Sequence, residues 1–247
     1  MSYILCDKIK NLEPYSPISG DYKIRLDANE SFINLSDDIK EKITKAICNF
    51  DFNRYPDPYC IELCKKAARL YNVSEEIITV GNGSDELISI IFSCMLQCGD
   101  KVLLFDNDFS MYKFYGSIFE KNNVIINKNN DLSVNIDDAI KAINENNIKA
   151  VIFSNPCNPT SLVVSRNDVI RLIESVNCLV IIDEAYMDFS NQSVLDATQK
   201  YDNLIVLKTC SKAIGLAAVR LGFAVANNTI TKALKAAKSP YNVNGLT

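Results

Sequence analysis

Seven short apolar runs, separated by stretches of helical pattern, constrain what this chain can fold into more than any other feature. The clearest is Leu179-Val180-Ile181-Ile182, which is apolar at every position and ends on Asp183 and Glu184. A run without alternation reads as a strand buried on both faces, and such strands belong to sheets covered by helices on each side. Comparable runs lie near Ile77, Val102, Val124, Val151, Leu204 and Phe223, and the helical patterns between them include Ile136 to Asn146 and Asn167 to Val176. The spacing predicts an α/β fold, a mostly parallel sheet with helices on both faces. Upstream, an arm bearing Pro14 and Pro17 leads to a helix predicted from Ser36 to about Phe50, with Ser36 as its cap and Asp37 and Asp38 in its first turn. A second helix is predicted from about Tyr59 to Tyr71.

With 247 residues, 48% of them hydrophobic, the chain holds enough apolar material for one large core with appendages. Its net charge of −4 gives no electrostatic case for a nucleic-acid partner. The nine cysteines form no CxxC pair and the chain has no histidine, so a zinc site is not expected. We read the cysteines as reduced and mostly buried, with Cys60 and Cys64 sharing one helix and Cys94 and Cys98 another. The amino terminus MSYILCDKIK lacks a signal-peptide pattern, and no run approaches the ~18 apolar residues of a membrane span. A cytoplasmic location is the expectation.

Three segments carry chemistry. In SNPCNPT (Ser154 to Thr160) the prolines stop a strand and present polar groups at its carboxyl end, where open parallel sheets bind ligands. Asn158 there is either a turn asparagine or a neutral hydrogen-bonding group for a ligand oxygen. In LVIIDEAYMDF, Asp183 emerges at a strand tip, where a carboxylate can pair with a pyridinium nitrogen, bind magnesium or cap a helix. Tyr186 follows three residues on and could reach a phenolate oxygen beside Asn158. Lys212 stands in LKTCSKAIGLAAVRLGF, with Arg220 eight positions later. An amine that must form an imine has to spend time unprotonated, which burial or a neighbouring cation favours. Arg220 offers that cation and also the fork geometry that pairs with a phosphate, while Thr209 and Ser211 add hydroxyls. Together these groups describe a site for pyridoxal phosphate.

In order and approximate spacing, Asn158, Asp183, Tyr186, Lys212 and Arg220 resemble the fold-type I aminotransferases. The Asn-Pro-Thr turn, the Asp-Glu-Ala-Tyr strand end and the Ser-Lys-Ala segment followed by Leu-Ala and an arginine closely resemble the histidinol-phosphate aminotransferase family. VGNGSDELI (Val80 to Ile88) extends the resemblance. Its glycines and helix start suit an anion, and Gly83, Ser84 and Asp85 look like the family's phosphate cradle, a plain helix cap at Ser84 being the alternative. By the same likeness Tyr55, in NRYPDPYC, reaches the cofactor phosphate of a neighbouring subunit, and Phe109 stacks on the cofactor ring. Asn107 and Asp108 stand where the family usually has Pro-Thr, and Ser161 where it most often has glycine. LDANES (Leu26 to Ser31) resembles the family's amino-terminal Asn-Glu signature.

The resemblance implies a fold-type I large domain over residues 51–247, with residues 1–50 forming an amino-terminal arm and part of the small domain. It implies that Lys212 holds the cofactor as a Schiff base and moves the substrate proton, with Asp183 and Tyr186 completing the catalytic set. The reaction it implies exchanges an amino group between L-histidinol phosphate and 2-oxoglutarate in histidine biosynthesis, by a homodimer. Other outcomes for the same apparatus are another amino-acid aminotransferase or a decarboxylase of the threonine-phosphate type. A non-catalytic cofactor-binding or dimerising remnant is the reading from a different class. Family members continue past the position of Thr247 into a small domain that carries the arginine for the substrate carboxylate, so no residue here is assigned that role. On that basis the sequence is expected to be a fragment of a longer protein.

Overall fold

A computed structural model gives the fold and describes residues 3–10, 12–16 and 18–247; Pro17 of the predicted arm lies outside the described residues. The seven apolar runs form one sheet: β1 (Ile78–Asn82), β2 (Lys101–Phe105), β3 (Asn122–Ile126), β4 (Ile148–Ser154), β5 (Leu179–Asp183), β6 (Leu204–Thr209) and β7 (Leu221–Ala226). Their order is β1-β7-β6-β5-β4-β2-β3. Strands β2 to β6 pair in parallel, whereas β7 runs antiparallel to both β6 and β1.

The helices are α1 (Asp7–Lys10), α2 (Asp37–Cys48), α3 (Ile61–Tyr71), α4 (Gly83–Ile90), α5 (Met111–Ile118), α6 (Ile136–Asn146), α7 (Arg166–Ser175) and α8 (Asn228–Ala237). Successive strand residues point to opposite faces. Thus Phe153, Val180 and Ile182 join one apolar cluster with residues of α3, α6 and α7. Ile152 and Ile181 join a second with residues of α4, α5 and α8. Both clusters are nearly water-free at their centres, as the continuous strand hydrophobicity requires. Several helices start on side-chain caps: Asn135 accepts from the Asp137 and Asp138 amides, Ser165 from Asp168 and Asn227 from Ile230.

The amino-terminal region departs from expectation in detail. Ser36 stands at the cap position of α2, but its hydroxyl makes no cap hydrogen bond, and the helix stops at Cys48 rather than Phe50. Asp37 and Asp38 instead pair with Lys40 and Lys42. No residue of α2 is buried, so nothing packs the first turn into the geometry a hydroxyl cap needs. Helix α3 begins at Ile61, not Tyr59, because the Asp57 carboxylate accepts the Tyr59 and Ile61 amides at 2.9 and 2.8 Å and holds the intervening residues in a turn. The cysteines are not mostly buried either. Cys64, Cys157, Cys178 and Cys210 are, whereas Cys6, Cys48, Cys94 and Cys98 are exposed and Cys60 is half-buried. Cys60 precedes α3, and Cys98 lies in the turn beyond the π-helical segment Ile91–Met95, so neither pair shares a helix.

A buried charged pair, Glu184 and Lys208, lies within this scaffold, and Lys208 also lies 3.7 Å from the Asp188 carboxylate. Glu184 is fully buried; Ser193 donates to it at 2.7 Å, the Val194 amide at 2.8 Å, and the Lys208 ammonium lies 3.7 Å away. Burial pushes its carboxyl up, and Lys208 is the chief influence holding it down. Lys208→Met removes the cation and leaves the carboxylate, which is expected to cost about 3–5 kcal/mol in urea unfolding at neutral pH.

Candidate active site

The polar carboxyl ends of β4, β5 and β6 meet the start of α4 at one end of the sheet. Asp183 ends β5 at 4% exposure. Its Oδ2 accepts from the Tyr112 hydroxyl at 2.8 Å and its Oδ1 from the Ala185 amide at 3.0 Å. Both partners are neutral, so desolvation dominates and pushes the carboxyl up to about 6 from 3.8. Among the described residues no cation pairs with this buried carboxylate.

After β4 the chain turns through SNPCNPT. Asn155 is buried and exchanges two hydrogen bonds with Val164, at 3.0 and 2.9 Å, which pins the turn. Asn158 and Tyr186 line a cavity of about 520 Å³ whose opposite wall is the amino-terminal segment Leu26, Asp27 and Asn29. Ser161, where a glycine would be at ease, has φ +61° and lines the same cavity. The Tyr186 hydroxyl accepts from Asn29 Nδ2 at 3.0 Å, which leaves its own proton free to donate. Lys212 Nζ donates to the Ala28 carbonyl at 2.7 Å and lies 5.7 Å from the centre of the Tyr186 ring. The LDANES segment therefore closes over both groups.

A second subsite forms where β7 passes the start of α4. The Arg220 guanidinium lies 3.4 Å from Ser211 Oγ, which is 3.1 Å from Thr209 Oγ1. Arg220 also packs on Gly83, where an added Cβ would sit 2.7 Å from Nη2. A Cβ on Gly222 would meet the Ser84 nitrogen at 2.3 Å, so β7 lies flush against the first turn of α4. The amides of a helix's first turn have no partner within the helix, and here those of Ser84 and Asp85 lie beside the guanidinium, an arrangement whose chemistry suits an anion. The Asp85 side chain is occupied elsewhere: Oδ2 accepts from Tyr115 at 2.9 Å, so its backbone amide is what it offers. Gly222→Ala is expected to pry β7 from α4, at about 1–3 kcal/mol in stability, and to weaken phosphate binding measured by calorimetric titration.

Phe109 is half-buried and edge-on to Tyr112, the partner of Asp183, with ring centres 5.4 Å apart. Tyr55 lies outside the cluster, 82% exposed, its ring stacked on Tyr241 at 4.6 Å. Three participants escaped the sequence reading. Tyr112 could have been found as the residue one helical turn after Phe109; Ser154 and the bonding of Asp108 depend on which strand ends become neighbours.

The family model described as aminotransferase class I and II matches residues 21–247. The chain belongs to this aminotransferase family. Among curated aminotransferases, the histidinol-phosphate aminotransferase of Clostridium novyi (strain NT) is 46% identical over 238 residues, covering 96% of this chain and 67% of the relative. A crystal structure of histidinol-phosphate aminotransferase from Sinorhizobium meliloti in complex with pyridoxal-5'-phosphate shares the fold at TM-score 0.82 and 22% identity, over 89% of this chain and 60% of that one. The L-threonine-O-3-phosphate decarboxylase from Porphyromonas gingivalis shares it at TM-score 0.72 and 22% identity, over 85% and 62%. This aminotransferase chain thus spans between three fifths and about two thirds of the length of these three proteins.

Proposed function

We propose that this chain carries the pyridoxal-phosphate site of a histidinol-phosphate aminotransferase, exchanging an amino group between L-histidinol phosphate and 2-oxoglutarate. The observation that carries the reading is the buried, cation-lacking Asp183 at the same sheet end as the Lys212 amine and the Arg220 cradle. Those three features fit the three ends of one ligand: a ring nitrogen that takes a proton, an aldehyde that takes an amine, and a phosphate. When bound, the cofactor supplies an electron sink that makes the substrate α-proton labile.

The residues divide the remaining work. Asp183 would stabilise a proton on the ring nitrogen, and Asn158 and Tyr186 would donate to the phenolate oxygen. Phe109 would supply an apolar contact for the ring. Arg220, Ser211, Thr209 and the amides of Ser84 and Asp85, which follow Gly83, would hold the phosphate. Lys212 Nζ takes the proton from the substrate α-carbon and later returns one, a transfer of the kind that contributes ~10²–10⁴-fold to rate. The Ala28 carbonyl holds that amine in the meantime, so the arm and the substrate compete for it.

We further propose that residues 51–247 are the cofactor domain, since no described residue before Cys64 is buried. The exposed Tyr55 is read as reaching a partner's cofactor in a homodimer, and the location as cytoplasmic. Among the described residues no helix is long and apolar enough to cross a membrane.

The test is an absorbance spectrum with added pyridoxal phosphate, then borohydride reduction and peptide mapping. A visible band with the label on Lys212 is expected; no band, or labels scattered over many lysines, overturns the reading. Parallel assays with L-histidinol phosphate and with threonine phosphate separate amino transfer from decarboxylation by whether carbon dioxide is released.

A further inference from the structure

The loop between β2 and α5 is tied to the end of β4 by one carboxylate. Asp108 Oδ1 accepts the Phe109 amide at 2.7 Å and the Ser154 hydroxyl, and Oδ2 accepts the Ser154 amide at 3.3 Å. Ser154 Oγ in turn accepts the Asn158 amide at 3.0 Å. Ser154 is the parallel-register partner of Asp183, whose carbonyl accepts the Asn155 amide at 2.9 Å. A continuous chain of hydrogen bonds therefore runs from Phe109 through Asp108 and Ser154 to Asn158, beside the strand end that bears Asp183. Lys128 grips the loop from its other side: Nζ donates to the Asn107 carbonyl at 2.9 Å, and its backbone amide to Asp106 at 2.6 Å.

We infer that Asp108 is a positioning residue, a clamp that fixes the Phe109 loop and the Asn158 turn as one unit. Its role toward the cofactor ring rests on the function proposed above; the clamp itself does not. Asn107 takes the left-handed region at φ +47°, and the loop from Asp106 to Ser110 holds no proline to stiffen it through its own backbone. The loop then needs an outside anchor, and a carboxylate with several lone pairs can take three donors at once where a threonine hydroxyl cannot. Burial pushes the Asp108 carboxyl up, while the Ser154 hydroxyl, the Phe109 amide and the Lys128 ammonium oppose it.

Amide hydrogen exchange on the cofactor-free protein tests the clamp. In Asp108→Ala, the Asn158 amide is expected to exchange about tenfold faster although its own partner Ser154 is intact. Ser154→Ala gives the converse reading at the Phe109 amide, so one variant suffices if the other fails to fold. Pyridoxal phosphate affinity should fall about tenfold in each variant and no further in the double variant, because a single clamp is broken in all three. Exchange at Asn158 unchanged in Asp108→Ala and at Phe109 unchanged in Ser154→Ala would overturn the proposal. So would affinity losses that multiply in the double variant. If wild type binds no cofactor, the function proposed above fails while the exchange measurements still decide the clamp.

Discussion

Lys212→Ala is expected to abolish the borohydride-stable adduct with pyridoxal phosphate and to lower amino transfer by more than ~10²–10⁴-fold, since it removes a covalent anchor as well as a proton carrier. The structure separates this loss from loss of fold. Lys212 is half-exposed, and among the described residues its side chain hydrogen-bonds to the Ala28 carbonyl alone, so the scaffold should unfold at nearly the wild-type temperature. The phosphate cradle of Arg220, Ser211 and the α4 amides is untouched, so the variant should still bind the cofactor reversibly and without the imine band. An adduct that persisted at another lysine would place the amine elsewhere.

Asp183→Asn should act in opposite directions on stability and on function. Burial raises the folded carboxyl from 3.8 to about 6, so between those values the folded protein holds a proton that the unfolded chain has released. Stability then falls as pH rises through this window, by about 1.4 kcal/mol per unit, and some 3 kcal/mol is lost above it. Asparagine carries no charge and keeps acceptors and donors for Ala185 and Tyr112. The cofactor-free variant should therefore match wild type near pH 4 and exceed it by up to ~3 kcal/mol at pH 8. Asp108 and Glu184 are also raised by burial in both proteins, and each repels the Asp183 carboxylate, so losing that charge relieves them in the same direction. With cofactor the order reverses, because the ring proton loses its counter-charge and amino transfer should drop by orders of magnitude. Urea unfolding from pH 4 to 8 with and without cofactor measures both signs. A variant no more stable than wild type at pH 8 would mean that water reaches this carboxylate.

The features legible in the sequence were those set by short-range pattern. Leu179 to Ile182 dictated a strand buried on both faces, and Asp183 had to appear at its tip. The two antiparallel pairings of β7 were not legible. Leu221 to Ala226 is buried at every position, as a parallel core strand would be, and its direction depends on the loop that precedes it. The sequence grouped Asp85 with the cradle by position, but which way its side chain turns was decided by Tyr115 arriving on another helix. Tyr112 escaped for a similar reason: an aromatic residue on a helix reads as core, and nothing local says that its hydroxyl will meet an acid 71 positions away. Ser36 and Asp57 show the same limit at helix starts: nothing packs the first turn of α2 and Ser36 makes no cap bond, whereas the Asp57 carboxylate moves the start of α3 to Ile61.

The reversal of direction between β6 and β7 has its own consequence. Thr209 faces Gly222 across the ladder, so the segment from 210 to 220 leaves the sheet and returns to it at the same end. Lys212 and Arg220 therefore ride on one closed tether fastened at both feet, and a ligand held by both completes a ring through it. The length of that tether acts as a gauge: the aldehyde and the phosphate must lie as far apart as the loop allows. One residue added between Gly215 and Val219 would leave both side chains present while making them a mismatched pair for the same molecule.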